Sequence, residues 1–427
     1  MALGMSFSKV CVQRGARGSA RILPRVCRRS FCDALKPGKW KSPITSRLWA
    51  DREKLAKQTE QGTESPSYLV TKTPADSATC ILYAFGSDAA LRERYRNPFG
   101  SARTGILLED MDALAGNIAF KHSDDNNPST RPLLLVTASV DQIKMEKPIV
   151  LEEDMELSGK VAWVGRSSMR IRMQFTQGGS KVMGAAFTFV ARDRNTSKST
   201  PINPLMPISE EEKRHYDECE QSSKLQKELR QRTPEQRLEA HTKRAKQQQQ
   251  LLREANTLLT MPSLAPADTV LMTSTETQNA LICQPQQRNT AGRIFGGFLM
   301  RRAFELAFST CYLFAGSRPR FEQVEQVSFH APVDVGSLLR LRARVVHTQP
   351  SLQPLPLVTI DVLAVVAHPE TRASVISNTF TFSFSLSPDE MERTGNTTLK
   401  RVLPSDGESA LRQIEAVDML NGVRTAA

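Results

Sequence analysis

Apolar residues recur at helical spacing once in each half of the 427-residue chain. They predict an amphipathic helix over about 105–120 and another over about 297–314. After each helix, alternating or β-branched segments predict strands at 133–145, 156–164, 169–176 and 182–192, and at 322–329, 338–347, 357–366 and 374–386. A further strand is expected before each helix, at 78–83 and 269–278. Each half is therefore predicted to be an α+β unit in which an antiparallel sheet wraps one helix.

The two halves also repeat short motifs in the same order. Residues 140–149, VDQIKMEKPI, and residues 324–333, VEQVSFHAPV, share the pattern V-[DE]-Q-[IV]-x-[MF]-x-x-P-[IV]. Asn97, with Gly105 eight residues later, matches Asn289, with Gly297 eight residues later. Motifs that recur once, in order and with small changes in spacing, indicate a duplicated domain rather than a solenoid.

This organisation divides the chain into six predicted segments. They are a mitochondrial transit peptide (1–31), an N-terminal extension (32–67), a first α+β domain (68–205), a charged helical linker (206–264), a second α+β domain (265–390) and a C-terminal tail (391–427). The linker is rich in Glu, Lys, Arg and Gln, and its apolar residues are too sparse for a core strand. It is interpreted as a solvated spacer, with a partner-binding coiled coil as the alternative.

The net charge of +12 is concentrated at the start of the chain. Residues 1–31 contain seven Lys and Arg residues and no acidic residue, so they supply 7 of the 12 charges. An Arg-rich, acid-free start of this kind is typical of a mitochondrial transit peptide, and Arg29-Ser30-Phe31 suits a matrix-type cleavage site. Localisation in the mitochondrion, in its matrix, is therefore predicted. A basic tail that binds nucleic acid is the alternative, but the remaining surplus of charge is ordinary and no nucleic-acid partner is expected.

Cysteine and histidine spacing gives no sign of a metal site. The seven cysteines form no C-x-x-C pair, and the six histidines show no i, i+4 pairing. No metal, cofactor or disulfide framework is therefore expected. There is also no run of 18 apolar residues, so membrane insertion is not expected.

One segment carries a recognisable resemblance. Residues 289–300, NTAGRIFGGFLM, are similar to the N-x-x-G-x-x-H-G-G-x-x-[LM] opening of the hotdog helix in acyl-CoA thioesterases. With residues 301–307, RRAFELA, and 105–112, GILLEDMD, the chain resembles the mitochondrial acyl-CoA thioesterase 9 family over roughly residues 70–390. Phe295 stands where the family motif has His, so the role of that His cannot be transferred.

This resemblance implies a fold, a reaction and an assembly. The fold would be two tandem hotdog domains, packed as an intrachain pseudo-dimer. The reaction would be hydrolysis of fatty acyl-CoA to free fatty acid and coenzyme A, with the thioester as substrate and no cofactor. The double-hotdog chains would form a homo-oligomer.

Thioester hydrolysis needs a held water, a base and donors for the oxyanion. Gly296 and Gly297 would let a substrate carbonyl approach backbone N–H groups at the positive end of a helix. Alternatively, the two glycines permit only a tight turn and close helix packing. Asp112 shares a helical stripe with Leu108 and Ala115, and partial burial would raise its pKa as suits a general base or nucleophile. Its alternative is a solvated or Arg-paired boundary residue.

The second copy has lost this acid, because Phe304 stands where the first copy has Asp112. The resemblance places Asn289, which would bind and orient the water or the thioester carbonyl, opposite Asp112 in one composite site. The reciprocal pair of Asn97 with Phe304 lacks a base and is interpreted as degenerate. Glu305 lies one position later and would replace the acid only in a shifted register. A simple turn residue is the alternative for Asn289.

Coenzyme A carries phosphates that call for Arg or Lys near the pocket mouth. Arg293, Arg301, Arg302 and Arg103 flank the two helix starts and are the local candidates, although each could be only a solubilising charge.

The same residues also bear on three other functional classes. A noncatalytic acyl-CoA sensor, or a structural subunit of a mitochondrial assembly, would use this fold and pocket without chemistry at Asp112. A hydratase on this fold would need a His near a helix start, and neither copy has one. An α/β-hydrolase would need a G-x-S-x-G motif, which the sequence lacks.

Overall fold

A computed structural model describes residues 41–59, 69–127, 130, 133–230, 234–289, 292–350, 355–395 and 398–421. The predicted transit peptide lies outside the described residues. The helices are α1 (Pro43–Thr59), α2 (Pro74–Ser77), α3 (Ala89–Tyr95), α4 (Thr104–Ser123), α5 (Glu210–Arg230), α6 (Pro234–Thr260), α7 (Gly296–Ala315), α8 (Pro388–Arg393) and α9 (Gly407–Leu420).

The strands are β1 (Thr79–Tyr83), β2 (Leu134–Met145), β3 (Met155–Val164), β4 (Ser168–Gln177), β5 (Ser180–Arg192), β6 (Thr269–Leu271), β7 (Thr277–Ile282), β8 (Pro319–Phe329), β9 (Leu338–Gln349), β10 (Leu357–His368), β11 (Ala373–Leu386) and β12 (Arg401–Leu403). Most lie within a few residues of the predicted positions. The predicted strand at 269–278 is wrong, because it divides into β6, a 3-10 turn and β7. β6 pairs in parallel with β12 instead of joining the large sheet.

Ten strands form one sheet in the order β1-β3-β4-β5-β2-β8-β11-β10-β9-β7. The first five and the last five strands follow the same order, read outward from the centre. The two halves are joined by antiparallel pairing of β2 with β8, in which Val140 lies opposite Val327 and Ile143 opposite Val324. These residues belong to the duplicated V-[DE]-Q motifs. The two copies of this motif therefore form the seam of a single ten-stranded sheet.

The long helices α4 and α7 pack against each other, and each also packs on the strands of its own half. Both helices are 20 residues long. Helix α7 is amphipathic, whereas residues 104–120 of α4 are all buried. Three of those buried residues, Glu109, Asp110 and Asp112, are acidic. Buried carboxylates are costly unless they are paired or hydrogen-bonded, so each of them requires a partner.

Asp110 receives its partners from hydroxyl groups. Its carboxylate accepts hydrogen bonds from Tyr95 Oη at 2.5 Å, Thr45 Oγ1 at 2.7 Å, Tyr83 Oη at 3.1 Å and Ser42 Oγ. Burial raises the pKa of Asp110, and the hydroxyl donors oppose that shift. Because Ser42 and Thr45 lie at the start of α1, this cluster fastens the N-terminal extension to α4.

The linker helices also contact the two halves. On α5, Glu212 pairs with Lys160 of β3 at 2.7 Å, and Glu220 accepts a hydrogen bond from the Trp163 indole at 2.7 Å. Gln248 of α6 donates to the Gly407 carbonyl at the start of α9 at 2.7 Å. The segment is helical as expected. Its contacts with β3 and α9, however, do not agree with the interpretation as a solvated spacer.

The seam between β2 and β8 should be sensitive to truncation. Val327 is fully buried, so Val327→Ala should lower the free energy of unfolding by about 2 kcal/mol through lost apolar burial and a residual cavity. Val375, also in a strand, is 49% exposed, so Val375→Ala should change it by less than about 0.5 kcal/mol. Urea unfolding of both variants measures the difference. Equal effects at the two positions would contradict the assigned seam.

Candidate active site

The start of α7 lies tightly against α4. A Cβ atom on Gly297 would lie 2.9 Å from the Glu109 carbonyl oxygen, and one on Gly296 would lie 3.1 Å from Asp112 Oδ2 and 3.2 Å from a ring carbon of Phe329. At Gly297 a larger residue would displace backbone, and at Gly296 it would force the Asp112 carboxylate or the Phe329 ring to shift. The close-packing interpretation of the glycine pair therefore holds, and the same packing brings the helix start to Asp112.

Asp112 from the first half contacts the second half directly. Its carboxylate lies beside the Gly296–Gly297 backbone at the start of α7, where the Gly297 N–H lowers its pKa. The Thr137 hydroxyl of β2 donates to its Oδ1 at 3.3 Å. The first N–H groups of a helix have no acceptor inside the helix, and the helix dipole favours negative charge there. The carboxylate is thus stabilised by the positive end of α7 although it is only 4% exposed.

Burial raises the pKa of Asp112 to about 6, which is the largest effect on this group. The Gly297 N–H, the Thr137 hydroxyl and the positive charge of Arg52 all act in the opposite direction. Asp112 is therefore mainly ionised near neutral pH but is a stronger base than an exposed aspartate. The alternative of a solvated boundary residue does not agree with this burial.

Helix α1 supplies two further side chains that the sequence did not indicate. Arg52 interacts electrostatically with Asp112, and burial lowers the pKa of Arg52 to about 10. Trp49 packs edge-to-face on Phe295, with ring centroids 5.1 Å apart. Phe295, which replaces the His of the family motif, is therefore part of a buried aromatic contact between α1 and the start of α7.

Asn289 lies in the turn before α7 and has a structural role there. Its Oδ1 accepts the Arg293 N–H at 3.1 Å, and Gly292 closes the turn with a φ angle of 83°. Asn97 makes the same turn, because its Oδ1 accepts the Ser101 N–H at 2.9 Å. These bonds agree with the turn interpretation of Asn289. They engage its carbonyl oxygen and leave the role of its amide group to be tested.

Three of the four candidate arginines belong to one ion-pair cluster, with pairs within α7 and between α7 and the start of α4. Arg301 pairs with buried Glu109 at 3.0 Å and with Glu305 at 3.1 Å. Arg302 pairs with Glu305 at 2.9 Å, and Arg103 lies 3.9 Å from the same carboxylate. Burial raises the pKa of Glu109 to about 7, and Arg301 opposes that shift.

Arg293 pairs with Asp334 at 3.7 Å, and it differs from the other three in exposure, because its side chain is 54% exposed and that of Asp334 is 70% exposed. It is therefore the member of the set that a phosphate could reach with the least loss of existing contacts.

The reciprocal position holds an aromatic side chain and a cavity. Phe304 is 7% exposed and packs on Phe321, Phe382 and Phe384, with centroids 5.4 to 5.8 Å away. A cleft of about 710 Å³ lies beside it, lined by residues of both halves that include Asn97, Gly105, Phe304 and Glu305. This cleft is distinct from the Asp112 site. It contains Asn97 and Phe304, the reciprocal pair that the sequence predicts to be degenerate.

Two negative findings apply to the described part of the chain. No group of three or more His, Cys, Asp or Glu side chains there is placed to hold a metal ion. Within the same residues, no helix is long and apolar enough to cross a membrane.

The chain is similar to several known proteins. The chain is 45% identical over 396 residues to acyl-coenzyme A thioesterase 2, chloroplastic, of Humulus lupulus, which covers 90% of each chain. It is 45% identical to acyl-coenzyme A thioesterase 4, mitochondrial, of the same plant, covering 90% of this chain and 74% of the relative. It is 34% identical to human acyl-coenzyme A thioesterase 9, mitochondrial, covering 75% and 74%. No family model matches the chain.

Solved structures of thioesterases are also similar, at low identity. An acyl-CoA hydrolase from Staphylococcus aureus, in complex with butyryl coenzyme A and coenzyme A, is 18% identical and covers 36% of this chain and 89% of its own, with a TM-score of 0.32. A 12:0-ACP thioesterase from Umbellularia californica is 10% identical and covers 73% and 95%, with a TM-score of 0.44.

The chain belongs to the acyl-coenzyme A thioesterases. The resemblance that residues 289–307 and 105–112 carried is thereby confirmed, as is the expectation of a thioester hydrolase. The relatives have both mitochondrial and chloroplastic names, so the compartment is not fixed by them.

The burial of Asp112 should make this residue destabilising at neutral pH. Its folded pKa of about 6 lies above its usual value, so the stability that its protonation provides is present below about pH 4 and is lost as the pH rises through 6. Asp112→Asn should therefore raise the free energy of unfolding by at most about 3 kcal/mol at pH 8, and by little at pH 4.

Urea unfolding of this variant and the wild type at both pH values measures the change. Exposed Asp217→Asn is the control, and it should show no comparable dependence. An Asp112→Asn variant that is less stable than wild type at pH 8 would contradict the assigned environment.

Proposed function

We propose that this chain hydrolyses fatty acyl-CoA to free fatty acid and coenzyme A at one composite site between its two halves. The observation that carries the proposal is the contact of Asp112, from α4, with the Gly297 N–H, at the start of α7. A base and a set of carbonyl-binding donors are thus supplied by different halves of one chain. The proposed framework is a pair of hotdog domains fused into a pseudo-dimer.

In the proposed mechanism, ionised Asp112 acts as the general base. It takes a proton from a water molecule as the water oxygen attacks the thioester carbonyl carbon. The C–S bond then breaks, and the departing coenzyme A thiolate takes the proton from Asp112, which regenerates the base. Negative charge develops on the carbonyl oxygen during attack, and backbone N–H groups at the start of α7 stabilise it. A carboxylate with a pKa of about 6 is both ionised and basic enough for this step near neutral pH.

Two further residues near the start of α7 are assigned roles in substrate binding. We assign Asn289 to orient the water or the thioester carbonyl through its amide group, while its Oδ1 holds the turn. Arg293 is the preferred contact for a coenzyme A phosphate, because Arg301, Arg302 and Arg103 lie in the ion-pair cluster around Glu305. The transit peptide, its delivery of the protein to the mitochondrial matrix and the homo-oligomer stay predictions.

Replacement of the proposed base should abolish turnover without unfolding the protein. Asp112→Asn should lower kcat by about 10²- to 10⁴-fold, since the contribution of a general base is of that size. Asn289→Ala should also be severely impaired, whereas Phe304→Leu should change the rate little. Release of coenzyme A thiol from a series of acyl-CoA chain lengths measures all three.

The matched control is Asp217→Asn, on an exposed face of α5. Undiminished turnover in Asp112→Asn would reject the assigned base. A wild-type protein that binds acyl-CoA but hydrolyses no chain length would instead favour the noncatalytic sensor.

The pH dependence of activity should report the ionisation of Asp112. Log(kcat/KM) should rise with pH to a plateau, with an apparent pKa of about 6. Arg52 lowers the pKa of Asp112, so Arg52→Gln should move this acid limb to higher pH. Arg47→Gln, on the exposed face of the same helix, should leave it in place. A shift to lower pH in Arg52→Gln would contradict the placement of this cation beside the base.

A further inference from the structure

The cleft beside Phe304 is the geometric counterpart of the proposed catalytic site. At the catalytic site, the α7 glycines lie against Asp112, the ninth residue of α4. At the cleft, Gly105 of α4 lies against Phe304, the ninth residue of α7, since a Cβ on Gly105 would be 3.4 Å from its ring. Each site is therefore built on the start of one long helix. The two sites differ in the side chain of the other helix that faces this start, which is Asp112 in one and Phe304 in the other.

The turn that precedes the helix is also preserved. In both halves an Asn Oδ1 accepts the N–H four residues later, and a glycine follows with a φ angle of 78° at Gly100 or 83° at Gly292. At the start of α4, the Thr104 N–H donates to the Ala102 carbonyl at 3.0 Å and the Ile106 N–H to the Arg103 carbonyl at 2.9 Å. The Gly105 N–H between them is the donor that the helix start offers to a ligand.

The cleft offers two kinds of surface. One wall is aromatic, formed by Phe99, Phe304, Phe308 and Phe321. The rim carries Lys147 and Arg320, both exposed. An aromatic wall suits an apolar chain, and exposed cations at a rim suit phosphate groups.

Three of the four acidic residues that line the cleft are paired with cations. Glu146 pairs with Lys181 at 2.6 Å, Glu305 with Arg302 at 2.9 Å, and Glu390 with Arg318 at 3.4 Å. Glu322 accepts a hydrogen bond from the Ser385 hydroxyl at 2.5 Å. These carboxylates therefore repel an anionic ligand less than their number suggests.

We propose that this cleft is a second binding site for acyl-CoA, at which the thioester is bound and not hydrolysed. The inference rests on the proposed function, because it assigns the same ligand class to the counterpart of the catalytic site. Phe304 stands where the counterpart site has Asp112 and adds apolar contact, so the thioester carbonyl has the Gly105 N–H as a donor but no carboxylate from the ninth helix position. Each chain then holds two acyl-CoA molecules and hydrolyses one.

The test is binding stoichiometry, measured by isothermal titration calorimetry with a nonhydrolysable thioether analogue of a long-chain acyl-CoA. The wild-type chain should bind two molecules. Ser309→Trp, which adds bulk to an exposed residue of the cleft, should bind one and retain thioester hydrolysis. Asp112→Asn should bind two and lose hydrolysis. One molecule per wild-type chain, or two in Ser309→Trp, would overturn the proposal.

A charge variant provides a second test that is independent of the Ser309→Trp substitution. Lys147→Glu with Arg320→Glu should weaken the second binding event about tenfold or more, the size expected for lost charge-assisted contacts. Lys144→Glu, on an exposed position outside the cleft, is the control and should not change it. Equal affinities in the two variants would overturn the proposal. Absence of hydrolysis in a wild-type chain that binds two analogues would instead contradict the proposed function alone.

Discussion

The antiparallel pairing of β2 with β8 is the contact on which the rest of the structure depends. It joins two five-stranded halves into one sheet and sets α4 beside α7, so that the start of each helix lies against the ninth residue of the other. A carboxylate on one helix can then meet the backbone N–H groups of the other. Neither half holds both groups, so the proposed chemistry needs both halves and could not take place in either one alone.

Much of this could be predicted from the sequence because the information is local. Helical periodicity located α4 and α7, alternation located most strands, and the loss of the acid at Phe304 followed from aligning the repeats. The contacts of Arg52 and Thr137 with Asp112 could not be predicted, since they join residues 60 and 25 positions apart with no shared motif. The pairing of β2 with β8 could not be predicted for the same reason, because pairing between the two halves leaves no periodicity in the sequence.

Duplication has allowed the two halves to specialise in opposite directions. In the first, α4 buries three carboxylates, and each of them has a hydrogen-bonding or ionic partner from another element. In the second, the position of the base is filled by a ring within an aromatic cluster. Burying a charge costs stability and burying a ring adds to it, so a fused pair can keep one reactive carboxylate while its partner half contributes a more stable core.

The hydroxyl cluster around Asp110 limits where the N-terminal part of the chain can be cut without damage to the proposed site. Ser42 and Thr45 donate to a carboxylate that has no exposure to solvent, and the same helix carries Arg52 to the proposed base. A processing peptidase that cut beyond residue 41 would leave that carboxylate with fewer donors and would detach a wall of the site. Ser42, Thr45 and Arg52 therefore have to be retained in any shortened form of the chain if the proposed site is to keep its α1 wall.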